Sequence, residues 1–235
     1  MKIVFVSNYY NHHQASLSEA FVVLTGGNYC FIQTQPMEGE RKQMGWGMSR
    51  LPAFVKESYL SGESYEECIR LIDGADVVIA GSAPNKMLGD RLRKKKLVFR
   101  YSERIYKNKK VLSHLIYHFF KLRFNDYFSK NVYMLCASAY AAADFARTGM
   151  YLGKTYKWGY FPTVKKYEDI DLLINRKQKA SILWCARLID WKHPEAAIHV
   201  ADWLKKEGYA FQLCLIGGGV LQDKIAQMIK EKDLE

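Results

Sequence analysis

Two cations and three glycines late in the chain have the types and spacing best suited to chemistry. The run Ile182-Leu-Trp-Cys-Ala-Arg187-Leu-Ile-Asp-Trp-Lys192-His-Pro194 reads as an apolar strand that runs into Arg187, with Lys192 opening a helix shortly after. A second apolar run, Phe211-Gln-Leu-Cys-Leu-Ile, ends in Gly217-Gly218-Gly219. Strand, helix and strand in that order make a βαβ unit, whose strand ends and helix N-terminus suit a diphosphate. Arginine presents a fork to phosphate oxygens, and lysine a point charge. Pro194 fits the first helical turn, so the helix dipole adds its positive end. Glycines let backbone amides come close to a phosphate or ribose. Taken singly, an arginine and a lysine at strand ends are surface residues, and a glycine triplet is a tight turn.

Three further stretches carry polar groups at strand ends. Asn8-Tyr-Tyr-Asn-His12-His13-Gln14 follows the first apolar run. Adjacent histidines point in different directions and lack a third ligand, so no metal is expected there. His12, His13 and Gln14 are instead candidates for contacts to phosphate or sugar. Ser82, in Gly81-Ser-Ala-Pro84, either lines a cleft or caps a helix. Glu103, in Tyr101-Ser-Glu-Arg104, is a carboxylate that can take a hydroxyl proton, or else a partner for Arg104 or nearby lysines. No side chain stands out as a nucleophile.

The elements that must position these residues alternate. Strands are expected at Lys2–Ser7, Tyr29–Gln33, Ala75–Ala80, Lys96–Tyr101, Val132–Cys136 and Thr155–Trp158. Helices are expected at Gln14–Leu24, Tyr65–Asp73, Asn85–Lys94, Val111–Phe128 and Ala139–Thr148, with Pro36–Pro52 a long loop. This alternation predicts an α/β fold, a doubly wound parallel sheet of Rossmann-like type over 1–162. Residues 163–180 read as a charged linker with a helical turn, and 181–235 as the first part of a second Rossmann-like domain.

The net charge is +11, and it is uneven. Residues 86–130 hold 14 Lys/Arg against 3 Asp/Glu. Such a field favours an acidic partner, whether nucleic acid, an anionic lipid surface or a phosphorylated substrate, or else is a solvated face with no partner. Lys109–Lys130 is apolar on more than one face with cations at its end, which fits either burial on the sheet or a helix at a membrane interface. Nucleic acid is not expected, because charge alone points to it. The five cysteines form no Cys-x-x-Cys pair and lie mostly in apolar contexts, so buried reduced thiols are expected. No apolar run approaches the roughly 18 residues of a membrane span, and the N-terminal run is too short for a signal peptide. These features predict a cytoplasmic protein, peripheral at the inner face of the membrane where the basic stretch meets anionic lipid.

The pattern from 182 to 221 resembles the retaining glycosyltransferases of family 4, of GT-B architecture. Ala186-Arg187-Leu188 stands where those enzymes carry a Gly-Arg-Leu-like turn before a lysine, and Gly217-Gly-Gly219 stands at their Gly-x-Gly turn. The resemblance implies two facing Rossmann-like domains and transfer of a sugar from a nucleoside-diphosphate-sugar to an acceptor hydroxyl, with retention and without a metal or cofactor. It implies Arg187, Lys192 and Gly217–Gly219 for the donor diphosphate. It places His12, His13, Gln14 and Ser82 along the donor/acceptor cleft and Glu103 near the reacting sugar. The glycines usual after the first strand are absent, and Glu103 replaces a His or Asp. The family's Glu-x7-Glu motif does not occur in 1–235, so this stretch is expected to end inside the donor domain and to be inactive alone. The acceptor is expected to be a surface polysaccharide or a lipid-linked glycan. A nucleotide-sugar epimerase of the same fold and a non-catalytic binding module are the alternatives. A dinucleotide oxidoreductase is disfavoured, because no Gly-x-Gly-x-x-Gly follows the first strand.

Overall fold

The computed structural model describes residues 1–106, 111–127, 130–177 and 180–235. Two compact units emerge, Met1–Val164 and Lys165–Glu235. In the first, β1 (Ile3–Ser7), α1 (His12–Leu24), β2 (Tyr29–Gln33), α2 (Gly39–Gln43), β3 (Val55–Glu57), α3 (Gly62–Gly74) and β4 (Val77–Ala80) follow one another. A 3-10 turn over Asn85–Leu88 leads to α4 (Gly89–Arg93), then β5 (Val98–Ser102), α5 (Val111–Leu122), β6 (Val132–Cys136), α6 (Ala141–Ala146) and β7 (Thr155–Lys157). The seven strands are all parallel, in the order β3-β2-β1-β4-β5-β6-β7.

Both faces of this sheet are covered, which is why β1 and β2 are unbroken apolar runs buried at every position. Val4, Val6, Cys30 and Ile32 pack with Cys68 and Ile72 of α3, Leu88, and Phe145 of α6. Ile3, Phe5, Tyr29 and Phe31 face the other way, toward Tyr10 and the Phe21 side of α1. Parallel pairing sets Ser7, Ala80, Tyr101, Ser102 and Cys136 along one edge of the sheet. The strand order reverses between β1 and β4, the switch point where open α/β sheets bind ligands. Gly81 is closely packed at that point. A Cβ there would lie 2.8 Å from Ser7 Oγ and 3.3 Å from the Tyr101 ring.

Several sequence expectations are corrected. α1 starts at His12, not Gln14, because Asn11 caps it: its side chain accepts from the His13 amide at 2.9 Å. The expected loop 36–52 contains α2, and β3 follows it. The basic helix at 85–94 is a 3-10 turn and a short α-helix, and its start is Pro84 without a side-chain cap, so Ser82 caps nothing. The long helix gives way to a wide π turn over Arg123–Tyr127. Lys107–Lys110 and Phe128–Ser129, part of the basic stretch, lie outside the described residues.

Much of the remaining basic stretch is internal structure. Arg91 is 1% exposed and donates five hydrogen bonds, at 2.7–3.0 Å, to the carbonyls of Ile72, Ala75, Asp76 and Leu97. It ties α3, α4 and β5 together. Lys94 and Lys96 both bind Asp73.

The second unit holds α7 (Ile170–Asn175), β8 (Ser181–Cys185), α8 (Pro194–Lys206), β9 (Gln212–Ile216) and α9 (Gln222–Glu231). α7 falls in the stretch expected as a linker, with Asp169 capping it at 2.8 Å. β8 and β9 pair in parallel as a two-stranded sheet. Ile198 of α8 and Ile225 of α9 are buried with Leu188, against Trp184 and Leu215. Both helices therefore pack on the 184/215 face. Alternation turns Leu183, Cys185, Cys214 and Ile216 the other way, where all four are exposed. Cys30, Cys68 and Cys136 are buried as expected, but Cys185 and Cys214 are not.

Candidate functional site

The first unit gathers an aromatic and histidine cluster at the carboxyl edge of its sheet. His12, His13 and Gln14 form the first turn of α1, which has no acidic residue to offset the helix dipole. The two imidazoles lie 4.1 Å apart between ring centroids. Trp46, from the loop after α2, meets both edge-on at 5.0 and 5.2 Å, and the Arg41 guanidinium sits over its ring at 4.6 Å. His13 also packs on Tyr160 at 4.9 Å. Burial, and then the charge of His12, holds the His13 imidazole below its usual pKa, so it is neutral at neutral pH. His13 Nδ1 and Gln14 Oε1 are buried without a hydrogen-bond partner among the described residues. Buried polar atoms without partners in the first turn of a helix mark a place where a polar ligand group fits.

Tyr160 joins this cluster to Glu103, whose carboxylate accepts its hydroxyl proton in a hydrogen bond. Burial first, and then Glu103, raises the Tyr160 phenol far above its usual range, so it stays a donor. Tyr101 lies 6.4 Å away. The expected Glu103–Arg104 surface pairing is replaced on the arginine side. Arg104 binds Asp144 through two bonds of 2.9 and 3.0 Å and lies over Tyr140.

Ser82 follows Gly81 at the end of β4. It lines a cavity of about 270 Å³ between the ends of β4 and β5 and the helix α5. Arg100, from β5, also lines it and forms a bidentate pair with Asp126 at 3.1 and 2.7 Å. Thus His12, His13, Gln14 and Glu103 are brought together, and Ser82 belongs to a neighbouring site. Sequence reasoning missed Trp46, Tyr160 and the Arg100–Asp126 pair. Only the length of the 36–52 loop pointed toward Trp46.

In the second unit Arg187 and Lys192 share one ring. The Arg187 guanidinium lies 5.4 Å and the Lys192 ammonium 4.3 Å from the Trp191 centroid. Lys192 closes a 3-10 turn over Asp190–Lys192 rather than opening the helix. His193, at φ 52°, makes the break, and α8 starts at Pro194. Gly217 and Gly219 are demanded by this same loop. A Cβ on Gly217 would lie 1.8 Å from the Ala186 carbonyl oxygen, and one on Gly219 2.4 Å from that of Leu188. Bonds from Leu188 N to Gly218 O at 2.9 Å and from Leu221 N to Leu188 O at 3.0 Å lock the two loops together. The outer glycines therefore serve loop-to-loop approach. Gly218 is the one with open space around it. The amides of Gly218, Gly219 and Val220 belong to exposed residues and donate to no acceptor among the described residues. Two cations and a row of outward amides at the ends of two parallel strands can hold a diphosphate.

No family model and no curated protein matches the chain. Solved structures do. The chain is similar over its whole length to HepE of Anabaena, crystallised in complex with UDP, at a TM-score of 0.62 and 13% identity; it spans 67% of that protein. HepE has also been crystallised in complex with UDP-glucose. TarM matches 98% of the chain with a TM-score of 0.60 and 8% identity, and the chain spans 74% of it. At these identities the likeness is one of fold, and that fold is α/β of the GT-B type.

Proposed function

We propose that the protein is a nucleotide-sugar glycosyltransferase whose second unit holds the donor diphosphate. The observation that carries this is the loop pair after β8 and β9, with Arg187 and Lys192 on Trp191 beside the open amides of the glycine turn. HepE, of the same fold, binds UDP and UDP-glucose, which supports this assignment.

Charge builds on the β-phosphate as the sugar leaves. Two fixed cations and oriented amides stabilise that charge without reorganising, so no metal is required in the proposed step. The acceptor hydroxyl belongs at the first unit's edge. There Glu103, held by the Tyr160 hydroxyl, takes its proton, while His12, His13 and Gln14 make polar contacts to the sugar or phosphate. Trp46 and Tyr160 offer apolar ring surface beside those contacts. Retention at the anomeric carbon is part of the proposal, and no nucleophile is assigned.

The acceptor is proposed to be a surface polysaccharide or lipid-linked glycan met at the cytoplasmic face of a membrane. Its support is α5 and the π turn after it, where Ile116, Tyr117 and Phe120 of the helix and Phe124 of the turn are exposed, Phe124 at 89%, beside Lys121. Such a stripe suits an interface helix rather than a span. No helix among the described residues is long and apolar enough to cross a membrane.

Calorimetric titration with UDP tests the donor assignment. Arg187→Ala and Lys192→Ala should each weaken binding by about tenfold, as loss of a charge-assisted phosphate contact does. Where turnover is measured, each should lower it by roughly 10²-fold. Unchanged UDP affinity in both variants removes the assignment.

A further inference from the structure

The cavity under α5 has a wall that stability alone does not explain. Asp126 is almost fully buried. It accepts two bonds from Arg100 and a third from the Tyr151 hydroxyl. Buried ion pairs of this kind are often no more stable than apolar residues of the same volume. Arg100 spends Nε and Nη2 on Asp126, and its third nitrogen, Nη1, makes no hydrogen bond among the described residues. The guanidinium is thus held by a carboxylate that a tyrosine also fixes, on a side chain that lines the cavity. Lys121, from α5, and Ser82 and Asn85, from the loop after β4, line the same cavity.

We propose that this cavity is an oxyanion site centred on Arg100, taking the phosphate group of a phosphorylated acceptor. Three elements line it with Arg100, Lys121, Ser82 and Asn85, which bring a guanidinium, an ammonium, a hydroxyl and an amide. Donors from several directions suit a tetrahedral phosphate better than a flat carboxylate. Arg100 and Lys121 are the two Arg/Lys side chains on its wall. The volume of about 270 Å³ is below that of a drug-sized pocket and matches a phosphate with part of its attached group. Phosphate recognition here deepens the acceptor half of the proposed transfer and takes its substrate class from it. The binding itself is independent of the donor.

The test is calorimetric titration of the full chain with inorganic phosphate, in an Arg187→Ala/Lys192→Ala background that removes the cations of the second unit. Saturable binding is expected there, and Lys121→Glu should weaken it by about tenfold or more. The triple variant Arg100→Met/Asp126→Leu/Tyr151→Phe removes the pair and its tyrosine together, so no charge is left buried alone, and it should abolish binding. If that variant does not fold, Lys121→Glu, at an exposed position of α5, decides the matter. Absence of saturable binding in the parent, or equal binding in the variants, overturns the proposal. UDP titration of the chain with Arg187 and Lys192 intact reports separately on the donor assignment. Phosphatidylcholine vesicles with and without phosphatidic acid identify the source. Retention on the phosphatidic acid vesicles alone, lost in the variants, indicates a lipid phosphate. Phosphate binding without vesicle binding indicates a soluble phosphorylated glycan.

Discussion

Replacing single glycines of the 217–219 turn separates architecture from ligand space. Gly217→Ala puts a methyl 1.8 Å from the Ala186 carbonyl oxygen, at a φ of 149°. The clashing atom is backbone, so no rotamer relieves it. The 186–188 turn must move by more than an ångström, and the bonds Ala186 N to Ile216 O at 3.1 Å and Leu188 N to Gly218 O at 2.9 Å break with it. Two lost hydrogen bonds cost about 2 kcal/mol, and backbone strain adds roughly 1–3 kcal/mol. The second unit should therefore lose about 3–5 kcal/mol, most of the stability of a small domain. Gly218→Ala meets only Gln222 Oε1 at 3.8 Å and should leave stability nearly unchanged. If the space beside Gly218 is donor space, its methyl should instead weaken UDP binding by about tenfold, an overpacking cost of ~1.4 kcal/mol. Hydrogen exchange of the β8 and β9 amides reads the first effect, and calorimetry the second. Equal stability of Gly217→Ala and Gly218→Ala would refute the loop-packing account.

Arg91→Met should destabilise the first unit by about 3–5 kcal/mol, since four carbonyls lose a buried charged donor; a urea midpoint within error of wild type would contradict this. His13 is held neutral, so the folded state binds protons less readily than the unfolded chain. Its contribution is constant above the unfolded pKa near ~6.5 and declines as pH falls below it. A His13→Gln variant should flatten that acid-side loss in denaturation curves, and parallel curves for the two proteins would count against a buried neutral imidazole. Phe120→Ser/Phe124→Ser should reduce sedimentation with anionic vesicles several-fold at low salt, whereas Lys94→Glu should act mainly on stability, because Lys94 is engaged with Asp73. Vesicle binding unaffected by the double serine variant would remove α5 from the membrane proposal.

The sheet was readable where a strand is buried on both faces. Ile3–Ser7, Tyr29–Gln33 and Val132–Cys136 are apolar almost throughout, and nothing else short and apolar competes with them. β3 escaped because it has three residues, only one of them apolar, and exists by pairing with Phe31–Gln33. The start of α1 was misplaced by two residues because its cap is an asparagine before two histidines, a weaker sign than an apolar period. Cys185 and Cys214 looked buried from their neighbours. Their exposure follows from α8 and α9 both lying on the other face of β8 and β9, a tertiary fact. At the candidate sites Arg187, Lys192 and the glycines were visible as residues at strand ends. The Arg100–Asp126 pair spans 26 positions, and the Trp46–His13 contact spans a loop. Both exist only once β5 meets the turn after α5, and the 36–52 loop meets α1.

The central claim is that the two cations of the second unit hold a diphosphate. Titration of wild type and of the Arg187→Ala/Lys192→Ala double variant with UDP, UMP and uridine tests it most directly. The account predicts that wild type prefers UDP over uridine by about 10²-fold or more, roughly tenfold for each charge-assisted contact. It also predicts that the double variant loses this preference while its affinity for uridine stays the same. A preference for UDP that survives the loss of both cations would contradict it.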